Sequence, residues 1–272
     1  MTSEALAAAT DALRAAGIED PRLDAEVLLA EATGWDRARL AAHPEDELPA
    51  AAARAFGEMV RRRLRREPVA YVVGHKGFRE LELRVDPRVL IPRPETELLV
   101  ELALEERPRR VLDVGTGSGA IALAVAAELP ECEVVATDIS TAALDVARAN
   151  AERLGLAARV DFVSGTLPAA GAEFDLVLAN LPYVAEAEWP HLQPEVTEWE
   201  PREALLAGAD GLDAIRAFLR MGLQAGCVAL EIGAGQAGAV SELMREAGFR
   251  KVAVRKDLAG IDRVVVGTSP SR

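Results

Sequence analysis

The sequence predicts an α/β protein: a mostly parallel seven-stranded sheet, preceded by a small helical region and joined to it by a β-hairpin. Three observations carry that prediction. From residue 91 onward, apolar strand-like runs alternate with helix-like segments, the signature of βαβ units. Up to residue 70 the apolar spacing is helical and punctuated by helix stops. Between the two, Leu81, Leu83 and Val85 alternate with Glu82 and Arg84, the period of a strand buried on one face.

The expected domains follow: a helical domain over 1–70, a hairpin linker over 71–90 and a larger domain over 91–272. Within the first, Ser3 is placed to cap a helix that stops at Gly17, and Asp20-Pro21 to start a second that ends at Gly34. A third helix runs from Pro49 to about Arg66, and its Arg61–Arg66 run reads as a solvated face or a docking patch. In the larger domain, helices are expected over 94–107, 119–129, 140–154, 211–223 and 236–247. The strands are expected at 111–114, 133–137, 160–163, 174–179, 227–231, 251–255 and 263–267.

Half of the 272 residues are apolar, enough for a sizeable core. Forty-four acidic against 31 basic side chains leave a net charge of −13, which disfavours phosphate backbones and argues against direct nucleic-acid binding. Cys132 and Cys227 are far apart, so no disulfide framework is expected and a reducing cytoplasm fits. No signal peptide or membrane-length apolar run is present, and His43, His75 and His191 share no metal-ligand spacing, so neither membrane nor metal is expected.

Two segments carry chemistry. Gly115, Thr116, Gly117, Ser118 and Gly119 follow a strand and open a helix, which presents backbone N–H groups to a ligand. Asp138 ends the next strand, where a carboxylate can take ribose hydroxyls. These residues indicate a nucleoside cofactor without saying which. The second segment, Asn180-Leu181-Pro182-Tyr183, leaves the apolar strand 174–179 at the end where α/β sheets bind ligands. An Asn carbonyl oxygen and the next backbone carbonyl are two acceptors for the two N–H bonds of a planar NH2 group, and Tyr183 can wall one face.

At these residues the chain resembles the class I S-adenosylmethionine-dependent methyltransferases, with their Rossmann-like fold. More narrowly it resembles the HemK-type (PrmC) glutamine N5-methyltransferases of peptide chain release factors. The resemblance also rests on Tyr71–Gly74 with Phe78, Leu90–Glu97, Thr137–Ser140, Glu200-Pro201, Gly208–Leu212, Glu231–Gly233 with Gln236, and Asp257–Gly260 with Arg263. It implies methyl transfer from S-adenosyl-L-methionine, with S-adenosyl-L-homocysteine as product, to the Gln of a release factor Gly-Gly-Gln loop. That reaction modulates translation termination in the cytoplasm, and the enzyme is expected as a monomer. It further implies that Gly115–Gly119, Asp138 and Asn180 hold the cofactor. Phe78 and Asn180–Tyr183 would hold the glutamine, the latter four being the catalytic set.

Two departures from the family pattern stand out. Leu181 replaces the first proline of Asn-Pro-Pro-Tyr, restoring a backbone N–H and loosening φ. Gly165-Thr166-Leu167 lacks the acidic residue relatives often carry near the adenine. A ribosomal-protein glutamine methyltransferase and a cofactor-binding protein with impaired turnover are the alternatives.

Overall fold

The computed structural model describes residues 1–167, 172–222 and 224–269. In chain order the helical segment forms α1 (Thr2–Ala15), α2 (Pro21–Thr33), α3 (Arg37–Ala42), α4 (Ala50–Leu64) and α5 (Val69–Val73). There follow β1 (His75–Phe78), β2 (Leu81–Arg84), α6 (Glu97–Glu106), β3 (Arg110–Val114), α7 (Ala120–Glu128), β4 (Glu133–Asp138), α8 (Thr141–Arg153), β5 (Val160–Ser164) and β6 (Glu173–Ala179). The chain ends with α9 (Pro194–Trp199), α10 (Asp213–Arg220), β7 (Gln224–Glu231), α11 (Ala237–Glu246), β8 (Lys251–Lys256) and β9 (Asp262–Thr268). Among the described residues no helix is long and apolar enough to cross a membrane.

Two compact units result. The first comprises Met1–His75 with Gln193–Trp199, and the second Lys76–Leu192 with Glu200–Arg272. The first unit therefore extends beyond residue 70 and takes in a short helix more than a hundred residues away. Its core gathers Leu6, Leu13, Leu28, Leu29, Phe56 and Val72. The Arg61–Arg66 run is not simply a solvated face. Helical rotation turns Arg63 inward, where it pairs with Asp24 and Glu195 at 2.7 Å each, and Arg66 reaches the same Glu195 at 2.6 Å. Arg62 pairs with Glu67 and donates to the carbonyls of Tyr71 and Val72. These pairs explain why 193–199 joins this unit.

Local details also differ. Helix α1 starts at Thr2, whose N–H, like that of Ser3, donates to carbonyls of the 44–46 loop, so Ser3 caps nothing. Asp20 precedes α2 without a side-chain capping bond. The short α3, which the apolar spacing did not announce, is capped by the Asp36 carboxylate accepting from the Arg39 N–H. Residues 71–73, expected within the hairpin, belong instead to α5. Helix α10 ends at Arg220, and Leu223, expected as its end, lies outside the described residues, as do Pro270–Arg272.

In the second unit the hairpin β1–β2 is part of the core, with Phe78 and Leu83 fully buried, rather than a linker. The main sheet has the order β5-β4-β3-β6-β7-β9-β8 among the described residues, and β9 alone runs against the rest. Its central strands are apolar on both faces because both are covered. Val111, Leu176 and Leu178 pack on one side, and Leu112, Val114, Val177 and Ala179 on the other. Helix α7, AIALAVAAE, is buried almost throughout, its small side chains permitting close packing.

Candidate active site

The order of the strands reverses between β3 and β6, so the connections leaving their carboxyl ends diverge and open a crevice. A cavity of about 380 Å³ lies there, lined by Gly115 and Gly117 after β3, Asp138 at the end of β4, and Asn180, Leu181 and Pro182 after β6. The two segments with readable chemistry thus meet in one cavity. Leu90, Thr166, Ala204, Phe218 and Met221 complete its walls.

The glycine turn is held through its backbone N–H groups by the end of β4. The N–H groups of Gly115 and Thr116 both donate to the Thr137 carbonyl, at 2.8 and 2.9 Å. Asp138 braces the turn, one carboxylate oxygen accepting from the Gly117 N–H at 2.9 Å and the other from the Ser140 N–H at 2.8 Å. Gly117 has φ +57° and a Cβ there would meet nothing within 4 Å, so its open side faces the cavity. Gly119 serves packing instead, since a Cβ would lie 2.9 Å from Leu123 Cδ1.

Behind the turn, Asp113 is wholly buried. Its Oδ2 accepts from the Thr116 hydroxyl at 2.7 Å and the Ala122 N–H at 3.1 Å, while Oδ1 has no hydrogen-bond partner. Burial pushes its carboxyl up to about 7. Asn150 of α8 ties this region to the hairpin, donating to the Ser118 and Arg84 carbonyls and accepting from the Arg84 N–H.

The loop after β6 is held by side chains distant in sequence. Asn180 Nδ2 donates to Thr96 Oγ1 at 3.1 Å, and the Tyr183 hydroxyl donates to Glu231 Oε1 at 3.3 Å. Burial pushes the Glu231 carboxyl up to about 7, and burial together with the neighbouring Glu231 charge raises the Tyr183 phenol. Gln236 bridges the Gly233 N–H and the Tyr183 carbonyl, each at 2.9 Å. Gly211, at φ +75°, lets the chain pass that carbonyl, which a Cβ would strike. Glu200 accepts from the Ile91 N–H at 3.1 Å and pairs with Arg93 at 2.5 Å, pinning the 91–97 run that carries Thr96. Leu181 is buried in the core cluster that includes Val114, and its Cδ2 abuts Gly115.

Of the residues expected at the site, Gly115, Gly117, Asp138, Asn180, Leu181 and Pro182 line the cavity. Thr116, Ser118 and Gly119 are buried behind its wall. Tyr183 points its hydroxyl at Glu231, and its ring edge lies against Gly233. Phe78 is 1% exposed within the core formed with Leu83 and Leu99, which does not meet the expectation of a substrate contact. Sequence reasoning gave no role to Thr96, Asn150, Glu231 or Gln236. Thr96, Glu231 and Gln236 stand within segments that carry the family resemblance, and Glu231 is also a lone acid closing the apolar strand β7, but neither signal gives a role. In the first unit, His43, Glu45 and Asp46 lie close together at the surface, with His43 near Glu45 and Asp46 near Arg39.

Residues 4–74 match the family described as PrmC N-terminal domain, and residues 94–195 match the methyltransferase small domain. The chain is 47% identical to the release factor glutamine methyltransferase of Moorella thermoacetica, over 96% of this chain and 95% of that one. It is 46% identical to the protein of the same name from Cereibacter sphaeroides, over 99% of each. Among solved structures, the catalytic domain of human METTL16 in complex with a MAT2A 3'UTR hairpin superposes with a TM-score of 0.60 at 17% identity, covering 75% of this chain and 82% of that one. The N-terminal domain of human METTL16 in complex with SAH superposes with a TM-score of 0.50 at 16% identity, covering 70% and 76%. The fold is that of the class I methyltransferases.

Proposed function

The chain belongs to the family of release factor glutamine methyltransferases, and we propose that it runs their reaction with the cavity beyond β3, β4 and β6 as donor site and Asn180–Tyr183 as acceptor site. It is an S-adenosylmethionine-dependent protein glutamine methyltransferase. The substrate atom is N5 of the Gln in the release factor Gly-Gly-Gln motif, and S-adenosyl-L-homocysteine is the other product. Release factors are its partners, the cytoplasm its place of action, and the strongly acidic chain favours a protein substrate over nucleic acid. A monomer suffices for this chemistry, since donor and acceptor residues come from one chain.

The observation that carries this reading is the single cavity shared by Gly115, Gly117 and Asp138 on one side and Asn180, Leu181 and Pro182 on the other. Its residues fit the donor. The volume of about 380 Å³ falls in the range of small-molecule sites. The open side of Gly117 leaves room for the methionine part. Asp138, with both oxygens already accepting backbone N–H groups, keeps lone pairs for ribose hydroxyls. Thr166 lines the cavity in the segment without the family's acidic residue.

When bound, S-adenosyl-L-methionine supplies an activated sulfonium methyl group. The rest falls to the chain. Asn180 Oδ1 and the Leu181 carbonyl accept the two N–H bonds of the substrate amide. They aim its nitrogen at the donor side and stabilise the positive charge that develops there. An amide nitrogen is a poor nucleophile, so positioning and preorganised acceptors contribute most. The surplus proton leaves to water after transfer. Leu181 keeps the required carbonyl, and its buried side chain anchors the loop where a proline ring would otherwise stiffen it.

The test is methyl transfer from labelled S-adenosyl-L-methionine to an unmodified release factor, followed by mass spectrometry of the Gly-Gly-Gln peptide. One methyl on that glutamine is expected. Transfer only to a ribosomal protein would redirect the substrate. Donor binding without transfer to either would point to impaired turnover.

A further inference from the structure

The Asn180 amide can hold a substrate NH2 group in only one of its two flip states. With Oδ1 toward the cavity it accepts the substrate's N–H bonds; with Nδ2 there it opposes donor to donor. Something must set that choice, because the two orientations have nearly the same shape. Asn180 Nδ2 lies 3.1 Å from Thr96 Oγ1. A hydroxyl both donates and accepts, so Thr96 alone does not decide which end of the amide it meets.

Behind Thr96 stands Glu231. Thr96 and Glu231 are 4% and 1% exposed, so water does not substitute for either partner. Glu231 Oε1 already takes the Tyr183 hydroxyl, while Oε2 is buried with no conventional hydrogen-bond partner. Thr96 lies near enough to favour the ionised form of this carboxyl, and Oε2 is the acceptor left open to its hydroxyl. An ionised carboxylate only accepts, so the hydroxyl hydrogen of Thr96 turns toward it. The Thr96 oxygen then offers a lone pair to Asn180, whose NH2 must face it, and Oδ1 is left for the substrate.

We propose that Glu231 is a positioning residue for methyl transfer, acting through the Thr96 hydroxyl to hold the Asn180 amide with its oxygen presented to the substrate glutamine. This rests on the reading that Asn180 holds that glutamine. The same arrangement extends to Tyr183, whose hydroxyl shares the carboxylate, so both ends of the acceptor loop are fastened to one buried acid. The charged and titratable groups facing that acid are Tyr183 on the loop, Glu95 beside Thr96 and Arg263 on β9. With the Glu231 carboxyl near 7, turnover on the full-length enzyme is expected to rise with pH through that region as the acceptor-only form takes over.

The experiment measures kcat and KM on an unmodified release factor, together with donor affinity and thermal stability, for Glu231→Gln, Thr96→Val, Thr96→Ser and Asn180→Ala. Glu231→Gln can donate to Thr96 and so loses the directional preference, and Thr96→Val removes the hydroxyl at nearly constant volume. Each is expected to lower kcat on the order of ten- to a hundredfold, with donor affinity unchanged and the double variant no worse than the poorer single one. Thr96→Ser, which keeps the hydroxyl, is expected to recover most of the loss, and the rise near pH 7 is expected to vanish in Glu231→Gln. Full kcat in both Glu231→Gln and Thr96→Val, with Asn180→Ala inactive, would overturn the proposal and leave the acceptor role of Asn180 standing. A fall in kcat matched by equal losses of donor affinity and stability would also overturn it, making the contact merely structural. Full activity in Asn180→Ala would instead remove the reading beneath it.

Discussion

Two connections leave neighbouring strands of the same sheet, end in the same cavity and are built by opposite means. The turn after β3 is shaped through its backbone: three glycines at positive φ, with N–H groups taken by the Thr137 carbonyl and the Asp138 carboxylate of the neighbouring strand β4. The loop after β6 is shaped by distant side chains. Thr96 lies 84 positions upstream of Asn180, Glu231 lies 48 downstream of Tyr183, and Gln236 lies 53 downstream. In the proposed reaction, a wall that only has to admit a donor needs an open, rigid backbone. A pair of acceptors that must aim a nitrogen needs fixed side-chain orientation, and only packed, hydrogen-bonded neighbours supply that. The contrast extends beneath the surface, where each connection rests on a buried carboxyl, Asp113 under the first and Glu231 under the second.

That comparison is broken most sharply at Asn180. Asn180→Ala is expected to lower kcat by about 10³-fold while the donor dissociation constant stays within a few-fold, as steady-state kinetics and calorimetric titration would show. Gly117→Ala is expected to do the reverse. Its left-handed backbone resists a Cβ by roughly 1–2 kcal/mol, and that Cβ would enter donor space. Donor affinity is therefore expected to weaken about tenfold or more, with kcat at saturating donor held within a few-fold.

A smaller effect concerns Asp113. Its folded carboxyl sits near 7, above the roughly 3.9 of an unfolded aspartate. Between those values the folded state binds more protons than the unfolded one. The stabilisation is thus complete below about pH 4 and is lost as pH rises through 7. Urea unfolding at pH 5, 6, 7 and 8 is expected to show a declining contribution that flattens in Asp113→Asn; an unchanged slope would assign it to other groups. The smallest effect is expected at Leu181. Leu181→Pro restores the family residue and restricts φ, worth about 0.4–1 kcal/mol, so kcat rises by at most two- to fivefold. Loss of the buried leucine lowers the unfolding midpoint at the same time.

Much of this molecule is legible from residue order. The strands of the larger unit fall within a few residues of their expected bounds, because each lies between turn residues and the central ones are short apolar runs buried on both faces. Gly115, Gly117, Asp138 and Asn180 are legible as a site because strand-end position and residue type together constrain what they can do. Where expectation and structure part, distant packing decides. Arg63 lies in a run of charges that reads as solvated, yet Asp24 and Glu195 draw it inside. Phe78 carries no local sign of whether its ring faces a ligand or a core.

By itself, then, the amino-acid order determined the α/β class, the helical N-terminal region, the glycine turn after β3 and the Asn180–Tyr183 loop that we propose as donor and acceptor sites, since each depends on local backbone demands and on periodicity. Tertiary structure decided that 193–199 joins the first unit, that Phe78 is core, and that Thr96, Glu231 and Gln236 converge on Asn180 and Tyr183. The physical reason is that a hydrogen bond or ion pair is specified by where two side chains meet in space, and residues 48 to 129 positions apart meet only once the sheet and helices have folded.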